Sequence, residues 1–342
     1  MTDMGQTRAR RLAMAADRLG WLALVLSAFI LALVSITTIV VFAPVGRTFA
    51  DWLTYVHAAE RLLAGVPIYP PEQLSGPYVL PNVTLFGYAY PPSSVPLFIP
   101  FVSYPVGLVA WLTLNVGLLI TGLYAVIGRE LGRVRPLVFA PVLLGLALHR
   151  GFADGVAFGN ASVGLAGLFA WCWVIGRGRT PVGFLAGLGA TIKLVPGTVV
   201  FWSTPQTFPR ALLTTLAVCA ALFLLTLPMV GIQSWVDYVQ ALSYSEPACG
   251  VDFPVSVACT LQPVLGIGAA KLAGIALALV AGGLAVAVRA PLLSFALVVV
   301  AWIAPVTDLH FHYLLVVYVL AVVAYAKLLG RRRRPTPVDL VT

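Results

Sequence analysis

The sequence contains very little charge. Only 10% of its 342 residues are Asp, Glu, Lys or Arg, whereas 60% are hydrophobic. This composition excludes an ordinary soluble globular domain, in which about 25% of residues are charged. Runs of about 18 or more nearly uncharged residues recur along the chain, and each is long enough to cross a bilayer as a helix. The sequence therefore predicts an all-α polytopic membrane protein.

The sequence also lacks the motifs of nucleotide and zinc chemistry. It contains no P-loop, dinucleotide fingerprint, zinc signature or nucleophile elbow. No metal site or cofactor is predicted, and dependence on a divalent metal stays open. The net charge is +9, but the basic residues stand at the ends of apolar runs. That pattern indicates membrane topology and not a nucleic-acid-binding surface.

Cysteine is scarce, with four residues in the chain. Cys172 and Cys219 lie inside apolar runs, where cysteine behaves as a small core residue. Cys249 and Cys259 flank a polar segment. We expect a disulfide between these two if the segment faces an oxidising compartment.

The basic residues predict how the chain crosses the membrane. We place residues 1–20 and the basic tail 330–342 in the cytoplasm, because cytoplasmic segments carry the excess of Lys and Arg. The first apolar run lacks a small-residue cleavage site, so it is interpreted as a retained span. One transmembrane catalytic domain then covers 21–329, with outer loops at 44–90 and 231–262. The apolar runs predict about eight crossings, at 21–43, 106–128, 136–149, 159–176, 211–230, 264–288, 291–306 and 312–329.

Two apolar stretches fit poorly as ordinary spans. Residues 91–104 contain four prolines, which favours a re-entrant or interfacial piece on the outer side, or a pair of marginal spans with its neighbour. Residues 181–203 are interrupted by Lys193 and Pro196, and predicted cytoplasmic arginines stand on both sides. A hairpin of two half-helices satisfies both facts. Transmembrane and re-entrant helices together are expected to number about 8–11.

This threading leaves the titratable residues on one face. The outer side receives eight of the twelve acidic residues, and all four histidines lie there or at its rim. A protein that only occupied the membrane would have little reason for such a distribution, so we expect a working outer surface. The histidines are His57, His149, His310 and His312.

Asp51 is the candidate general base. Residues 47–65 have helical spacing, with Asp51 in the first turn and Gly65 as the stop. Trp52 and Tyr55 belong to an apolar face, as in an amphipathic helix lying at the membrane surface. An aspartate that only caps the helix or pairs with its dipole explains the position equally well.

Five of the 21 Lys and Arg residues depart from the topological bias, and two of these five are candidate site residues. Lys193 lies inside an apolar hairpin, where a lysine is costly unless it meets an anion or water. Snorkelling of its side chain to the interface is the alternative. Arg150 stands on the predicted outer side and could bind an anionic head group, or could simply pair with Asp154.

Near the end of the chain, Asp308, His310 and His312 form a polar cluster after an apolar run. The spacing of the histidines does not favour a shared metal, and we expect one of them to face a cavity and to donate a hydrogen bond or proton to a phosphate. Tyr90, beside prolines, is either part of an interfacial aromatic belt or a wall for a sugar ring.

Taken in order, these features resemble glycosyltransferase family 87, membrane enzymes of the C-type superfold that use polyprenyl-phosphate sugars. The resemblance implies a C-type glycosyltransferase fold and inversion at the anomeric carbon, with Asp51 as the base. It also implies a group around the donor phosphate and a group around the sugar or acceptor. The first group is Lys193, Arg150, His310 and His312, and the second is Tyr55, Tyr90, Asn160 and Asp308.

The function implied by the resemblance is transfer of a sugar, with mannose as the expected one, from polyprenyl phosphate to a cell-envelope glycolipid or glycan. The reaction would take place on the outer face of a bacterial inner membrane, in envelope biogenesis of the actinobacterial type. The expected partners are the lipid-linked donor, the acceptor and membrane lipids, without nucleic acid. Two alternatives stay open: an arabinofuranosyltransferase using polyprenyl-phosphate arabinose, and a transporter or flippase of lipid-linked intermediates.

Overall fold

The computed structural model describes residues 3–42, 48–74, 87–244, 256–306 and 310–331, and every regular element within them is a helix. The prediction of an all-α polytopic membrane protein is confirmed. The α-helices are α1 (Asp3–Phe42), α2 (Ala50–Leu63), α3 (Pro71–Leu74), α4 (Val95–Phe98), α5 (Val106–Leu131), α6 (Pro136–Ala147), α7 (Arg150–Phe158), α8 (Ser162–Ile175), α9 (Thr180–Ile192), α10 (Phe208–Tyr244), α11 (Val257–Leu265), α12 (Ile267–Ala287), α13 (Pro291–Ile303) and α14 (Leu315–Arg331). Short 3₁₀ helices cover Pro92–Ser94, Ile99–Phe101, Val195–Phe201 and Phe311–Leu314.

Five helical segments in the described residues are long and apolar enough to cross a membrane: Met14–Val41, Val106–Leu131, Phe208–Leu242, Ile267–Ala287 and Phe311–Gly330. A sixth crossing results if α6 and α7, bent by 65°, form one span. The predicted crossings at 159–176 and 291–306 correspond to α8 and α13, with 14 and 13 residues. These helices are about 20 Å long, shorter than a full crossing, because turns within the apolar runs interrupt them.

The arginines that the sequence places in cytoplasmic loops meet at one end of the helix bundle. Arg177, between α8 and α9, donates to the carbonyl oxygens of Ala285 and Val288 at 2.7 and 2.6 Å. Arg129 donates to the carbonyl oxygen of Trp173 at 2.5 Å. The carboxyl ends of α5, α8 and α12 therefore lie together.

The hairpin predicted for 181–203 is present. Helix α9 ends at Ile192, the chain turns at Lys193, and a 3₁₀ helix leads back from Val195. The N–H of Gly178 donates to the carbonyl oxygen of Trp202 at 3.1 Å, so the two ends of the hairpin are adjacent. Lys193 is therefore at the tip, remote from the basic end.

Helix α2 has the predicted ends. It begins at Ala50, and Gly65, with φ of 69°, follows its last turn. Its apolar face packs against α4 and the amino end of α5. The ring of Tyr55, fully buried, stacks on Phe98 with centroids 4.6 Å apart.

The stretch 91–104 forms two 3₁₀ turns and the single turn of α4, and no membrane-length helix. Helix α10 is kinked at Gly231, where the predicted span 211–230 ends, and continues to Tyr244. The side-chain amide of Gln240 donates to the carbonyl oxygen of Leu74 at 2.9 Å. The part of α10 beyond Gly231 thus packs beside α3, within the region predicted as the outer loop 231–262.

The cysteines divide as expected. Cys172 and Cys219 are free, and Cys172 is buried in the core. Cys259, at the start of α11, is held in a disulfide. Cys249 lies outside the described residues, so its pairing with Cys259 stays a prediction.

Candidate functional site

Five chain segments converge away from the basic end of the bundle. They are the first turns of α2, the residues before the first 3₁₀ turn, the link between α7 and α8, the tip of the α9 hairpin and the start of the last 3₁₀ helix. Each segment brings one or more polar or aromatic side chains to the same place. These side chains are Asp51, Tyr55, Tyr90, Asn160, Ser162, Lys193, His312 and Tyr313.

Asp51 is bound by the side chain of Asn160. The Nδ2 of Asn160 donates to Oδ2 of Asp51 at 2.7 Å. Asn160 is buried, whereas Asp51 is partly exposed. The start of α2 is fixed against the end of α7, because the N–H of Phe49 donates to the carbonyl oxygen of Ala157 at 2.7 Å. Asp51 is therefore open to a ligand but held in one orientation.

The orientation of the Asn160 amide follows from its second hydrogen bond. Its Oδ1 accepts the backbone N–H of Ser162 at 2.7 Å, a local turn that asparagine commonly forms. Only an amide oxygen can accept that proton, so the amide nitrogen faces Asp51. The bond to the carboxylate is thus set by the fold of the 160–162 link.

Tyr55 and Tyr90 form a buried pair above the same link. The hydroxyl of Tyr55 donates to that of Tyr90 at 3.0 Å and accepts the N–H of Ala161 at 3.3 Å. Burial, and in second place the charge of Asp51, raises the pKa of Tyr55 well above its usual value. Burial likewise raises the pKa of Tyr90, so both phenols stay protonated at physiological pH. The one proton of Tyr55 is already used, whereas Tyr90 keeps its own proton to donate.

Lys193 is a buried cation with neutral neighbours. Lys193 is only 9% exposed. Its Nζ donates to Oγ of Ser162 at 3.1 Å and lies 4.2 Å from the ring centroid of Tyr313 and 5.3 Å from that of Tyr90. Within the described residues no carboxylate lies at ion-pair distance from Lys193. An ammonium in this setting favours an anion.

His312 is the histidine that faces inward. It is 4% exposed, and its Nδ1 has no hydrogen-bond partner in the part of the chain that the structure describes. Its ring lies 4.8 Å from that of Tyr313, the residue whose other neighbour is Lys193. His310 is exposed and stacks on His312 with centroids 5.4 Å apart. The 3₁₀ turn, neither strand nor α-helix, brings the two rings together.

Arg150 lies at the rim of the site. Its side chain is 62% exposed, and its Nε is 3.6 Å from Oδ2 of Asp154. The guanidinium stacks over Phe311 at 4.0 Å from the ring centroid. The pairing with Asp154 that the sequence left open is therefore present. Asp308, the remaining predicted site residue, lies outside the described residues.

Ser162 and Tyr313 were not singled out from the sequence as site residues, although both contact Lys193. The only signal for Ser162 was a hydroxyl two residues after Asn160 at the start of an apolar run. Tyr313 follows the predicted His310 and His312 directly. Their importance becomes visible only when the tip of the α9 hairpin is placed beside them.

The amino end of α8 adds its dipole but no free donor to the site. The N–H of Gly164 donates to Oδ1 of Asn115 at 3.0 Å, and that of Ser162 is bound by Asn160. The positive end of the helix therefore reinforces the field of Lys193. Direct contacts to an anion would come from side chains.

No group of three or more potential metal-ligating side chains was found in the described ranges. A cavity of about 480 Å³ lies at the basic end, beside Gln206 and Arg210. The residues that line it include no carboxylate or histidine, and they follow the end of the hairpin that lies opposite its tip. The chemistry is therefore concentrated at the converging segments.

Comparison with known proteins gave a family match. The model of glycosyltransferase family 87 matches residues 88–341, well over half of the chain. The matched region includes Tyr90, Asn160, Ser162, Lys193 and His312. Asp51 and Tyr55 precede it. No curated protein and no solved structure matches the chain.

Proposed function

The chain belongs to glycosyltransferase family 87 and is a membrane glycosyltransferase, and from this premise we propose that it uses a polyprenyl-phosphate sugar as donor. The sugar, with mannose as the expected one, would pass with inversion to a cell-envelope glycolipid or glycan on the outer face of the inner membrane. The observation that carries the proposal is the buried ammonium of Lys193, without a carboxylate partner among the described residues, one short link away from Asp51.

The surroundings of Lys193 favour a phosphate that carries a lipid. An anion would offset the cost of the buried ammonium, and Nδ1 of His312 would supply a further hydrogen bond. Leu194, the next residue, is 57% exposed on the outside of the hairpin tip. A phosphate bound at Lys193 could therefore extend its hydrocarbon chain past Leu194 into the bilayer. A nucleotide donor would gain nothing from that apolar surface.

Asp51 and Lys193 would act on opposite sides of the reacting carbon. Asp51 takes the proton of the acceptor hydroxyl as its oxygen forms the new bond to the anomeric carbon. The bond from that carbon to the phosphate oxygen breaks, and its electron pair leaves with the polyprenyl phosphate. Lys193 offsets the charge that develops on the leaving phosphate. A single displacement of this kind inverts the configuration.

The aromatic pair would define the sugar subsite. Tyr90 has a hydroxyl proton available for a sugar oxygen, and its ring faces Lys193. Tyr55 is fully buried, so its predicted sugar contact becomes support for Tyr90. Asn160 would orient the base. Arg150 and His310, both exposed at the rim, would attract the anionic head group as it enters.

The first test is transfer of labelled sugar to membrane glycolipids, with polyprenyl-phosphate mannose and polyprenyl-phosphate arabinose offered separately. We expect Asp51→Asn to lower transfer by about 10²–10⁴-fold, the usual contribution of a general base. Glu60→Gln is the matched control, because Glu60 is on the same helix and exposed. The control should retain wild-type transfer.

Three results would contradict parts of this proposal. Full activity of Asp51→Asn would reduce Asp51 to a helix-capping residue. Transfer from the arabinose donor alone would replace the expected sugar and leave the mechanism intact. No transfer from either donor, with movement of a lipid-linked intermediate across the membrane, would favour a transporter.

A further inference from the structure

We propose that Ser162 is a positioning residue that fixes the general base and the phosphate-binding lysine relative to each other. This inference rests on the proposed function and adds a residue that neither the family match nor the sequence assigned. Its backbone and its side chain serve different halves of the site. The backbone N–H holds Asn160 at 2.7 Å, and Oγ accepts from Nζ of Lys193 at 3.1 Å.

The hydrogen bonds form one continuous connection. Asp51 is bound by Asn160, Asn160 by Ser162, and Ser162 by Lys193. Every atom of the connection between the carboxylate and the ammonium belongs to residues that are at most partly exposed. Asp51 would receive the acceptor's proton, and Lys193 would face the leaving phosphate. The connection therefore sets the distance between the carboxylate of Asp51 and the ammonium of Lys193.

Lys193 needs such a partner because its other contacts give little direction. The rings of Tyr90 and Tyr313 attract the ammonium through their faces, an interaction that tolerates many angles. A lysine side chain has a flexible four-carbon stem. The hydroxyl of Ser162 is the one hydrogen-bond acceptor of Nζ that the described residues supply. This hydrogen bond fixes the position of Nζ, which the aromatic rings alone would leave loosely defined.

Ser162 itself is well fixed. It is 5% exposed and opens α8, the helix that packs along α5. The next turn of α8 is anchored by the bond from Gly164 to Asn115, and a Cβ added at Gly164 would lie 2.4 Å from Oδ1 of that asparagine. The amino end of α8 therefore cannot shift without displacing α5. The hydroxyl of Ser162 is therefore held in a fixed position, from which it can orient the flexible side chain of Lys193.

The backbone and side-chain hydrogen bonds of Ser162 can be tested separately by substitution. Ser162→Ala keeps the backbone N–H, so the bonds from Ser162 to Asn160 and from Asn160 to Asp51 are retained, and only the bond to Lys193 is lost. We expect kcat/KM for the donor to fall by about ten-fold, the usual effect of losing a hydrogen bond to a charged group, with part of the loss in donor KM. Asn160→Ala removes the hydrogen bond to Asp51 instead, and for this variant we expect kcat to fall while the donor KM stays unchanged.

The closing experiment is a double-mutant cycle on kcat/KM for whichever polyprenyl-phosphate sugar the wild type uses. The proteins are the wild type, Ser162→Ala, Lys193→Met and the double variant. If Ser162 acts through Lys193, Ser162→Ala costs about ten-fold in the wild type and less than about two-fold beside Lys193→Met. An equal loss in both backgrounds, or no loss in the wild type, would overturn the inference.

Binding of polyprenyl phosphate without a sugar, followed by thermal shift in detergent, gives a second measure of the same cycle. It replaces kinetics if Lys193→Met has no measurable transfer, and it shows whether each variant is folded. Ser162→Thr retains the hydroxyl and should bind polyprenyl phosphate more tightly than Ser162→Ala does. If the wild type transfers sugar but the cycle is additive, only the role proposed for Ser162 is refuted. If the wild type neither transfers sugar nor binds polyprenyl phosphate, the proposed function is refuted as well.

Discussion

Gly159, in the link between α7 and α8, packs against the first turn of α2. It has φ of 66°, in the left-handed region that favours glycine. A Cβ added there would lie 2.7 Å from Cβ of Trp52. Its carbonyl oxygen accepts the indole N–H of Trp111 at 2.7 Å. Because Asn160 follows directly, the conformation of Gly159 determines how the amide reaches Asp51.

We expect Gly159→Ala to lower the free energy of unfolding by about 1–3 kcal/mol, through backbone strain and the contact with Trp52. Transfer should fall as well, since a displaced Asn160 no longer orients Asp51. Thermal unfolding in detergent and the transfer assay measure the two effects. Gly117→Ala in α5 is the control, because nothing lies within 4 Å of a Cβ there, and it should not lower the melting temperature. Equal melting temperatures for both variants would contradict the assigned packing.

Some site residues could be predicted one by one and others could not. A lysine in an apolar run is conspicuous, and Lys193 is buried at the site. Serines in apolar runs usually bond to the carbonyl four residues earlier, as Ser27 and Ser35 do. Nothing local distinguishes Ser162 from them. Only the position of another helix's lysine does so.

Arg177, one of the basic residues that indicate the membrane topology, also holds helix ends together. The sequence placed it in a cytoplasmic loop. In the structure its guanidinium donates to four carbonyl oxygens, three of them at the end of α12, where helix carbonyls lack partners within the helix. It thereby joins α8, the α9 hairpin and α12 at the end of the bundle opposite Lys193.

We expect Arg177→Gln to destabilise the protein by about 1–3 kcal/mol, because several partly buried carbonyl groups lose their donors. Arg179→Gln is the control: Arg179 is two residues away and exposed, and its loss should leave stability nearly unchanged. The assay is thermal unfolding in detergent. The folded fraction of Arg177→Gln should keep the wild-type donor KM, since the site lies at the other end. A changed donor KM in folded protein would instead couple the two ends through the hairpin.

The helices themselves were predictable where a local signal marks a boundary. Gly65 ends α2, and Lys193 with Pro196 breaks the hairpin, as expected. Helices α8 and α13 are shorter than the apolar runs that contain them. Hydropathy alone cannot fix such ends, because the four and three residues by which the predicted spans exceed these helices hardly change the average over a span. The continuation of α10 beyond Gly231 was missed for a different reason: residues 232–244 mix polar and apolar side chains, and such a stretch can be helical when it packs on α3.

At the scale of the whole molecule, charge and chemistry are separated along the helix axes. Arg129 at the end of α5, Arg177 after α8 and Lys327 near the end of α14 lie at one end of the bundle, where Lys327 is 3.7 Å from Glu130. Asp51 and the hairpin tip lie away from it. The excess of Lys and Arg in cytoplasmic loops would orient the basic end inward and the site outward. An outward site has access to lipid-linked donors but not to cytosolic nucleotide sugars.

This orientation can be measured with single cysteines and a membrane-impermeant maleimide. His57→Cys, on an exposed position of α2, should be labelled in intact cells. Gln206→Cys, exposed at the basic end, should be labelled only after permeabilisation. Cys172 is buried in the core and Cys219 lies within the apolar span Phe208–Leu242, so these two free cysteines should contribute little background.

The reverse labelling pattern would place Asp51 in the cytoplasm. A polyprenyl-phosphate donor could still reach Lys193 from the bilayer, because its phosphate would approach from the headgroup level of either leaflet. The acceptor would then have to be a lipid of the inner leaflet, and its product would need a flippase to reach the envelope. Labelling therefore tests the acceptor's location separately from the chemistry, which depends on Asp51, Asn160, Ser162 and Lys193 whichever way the bundle faces.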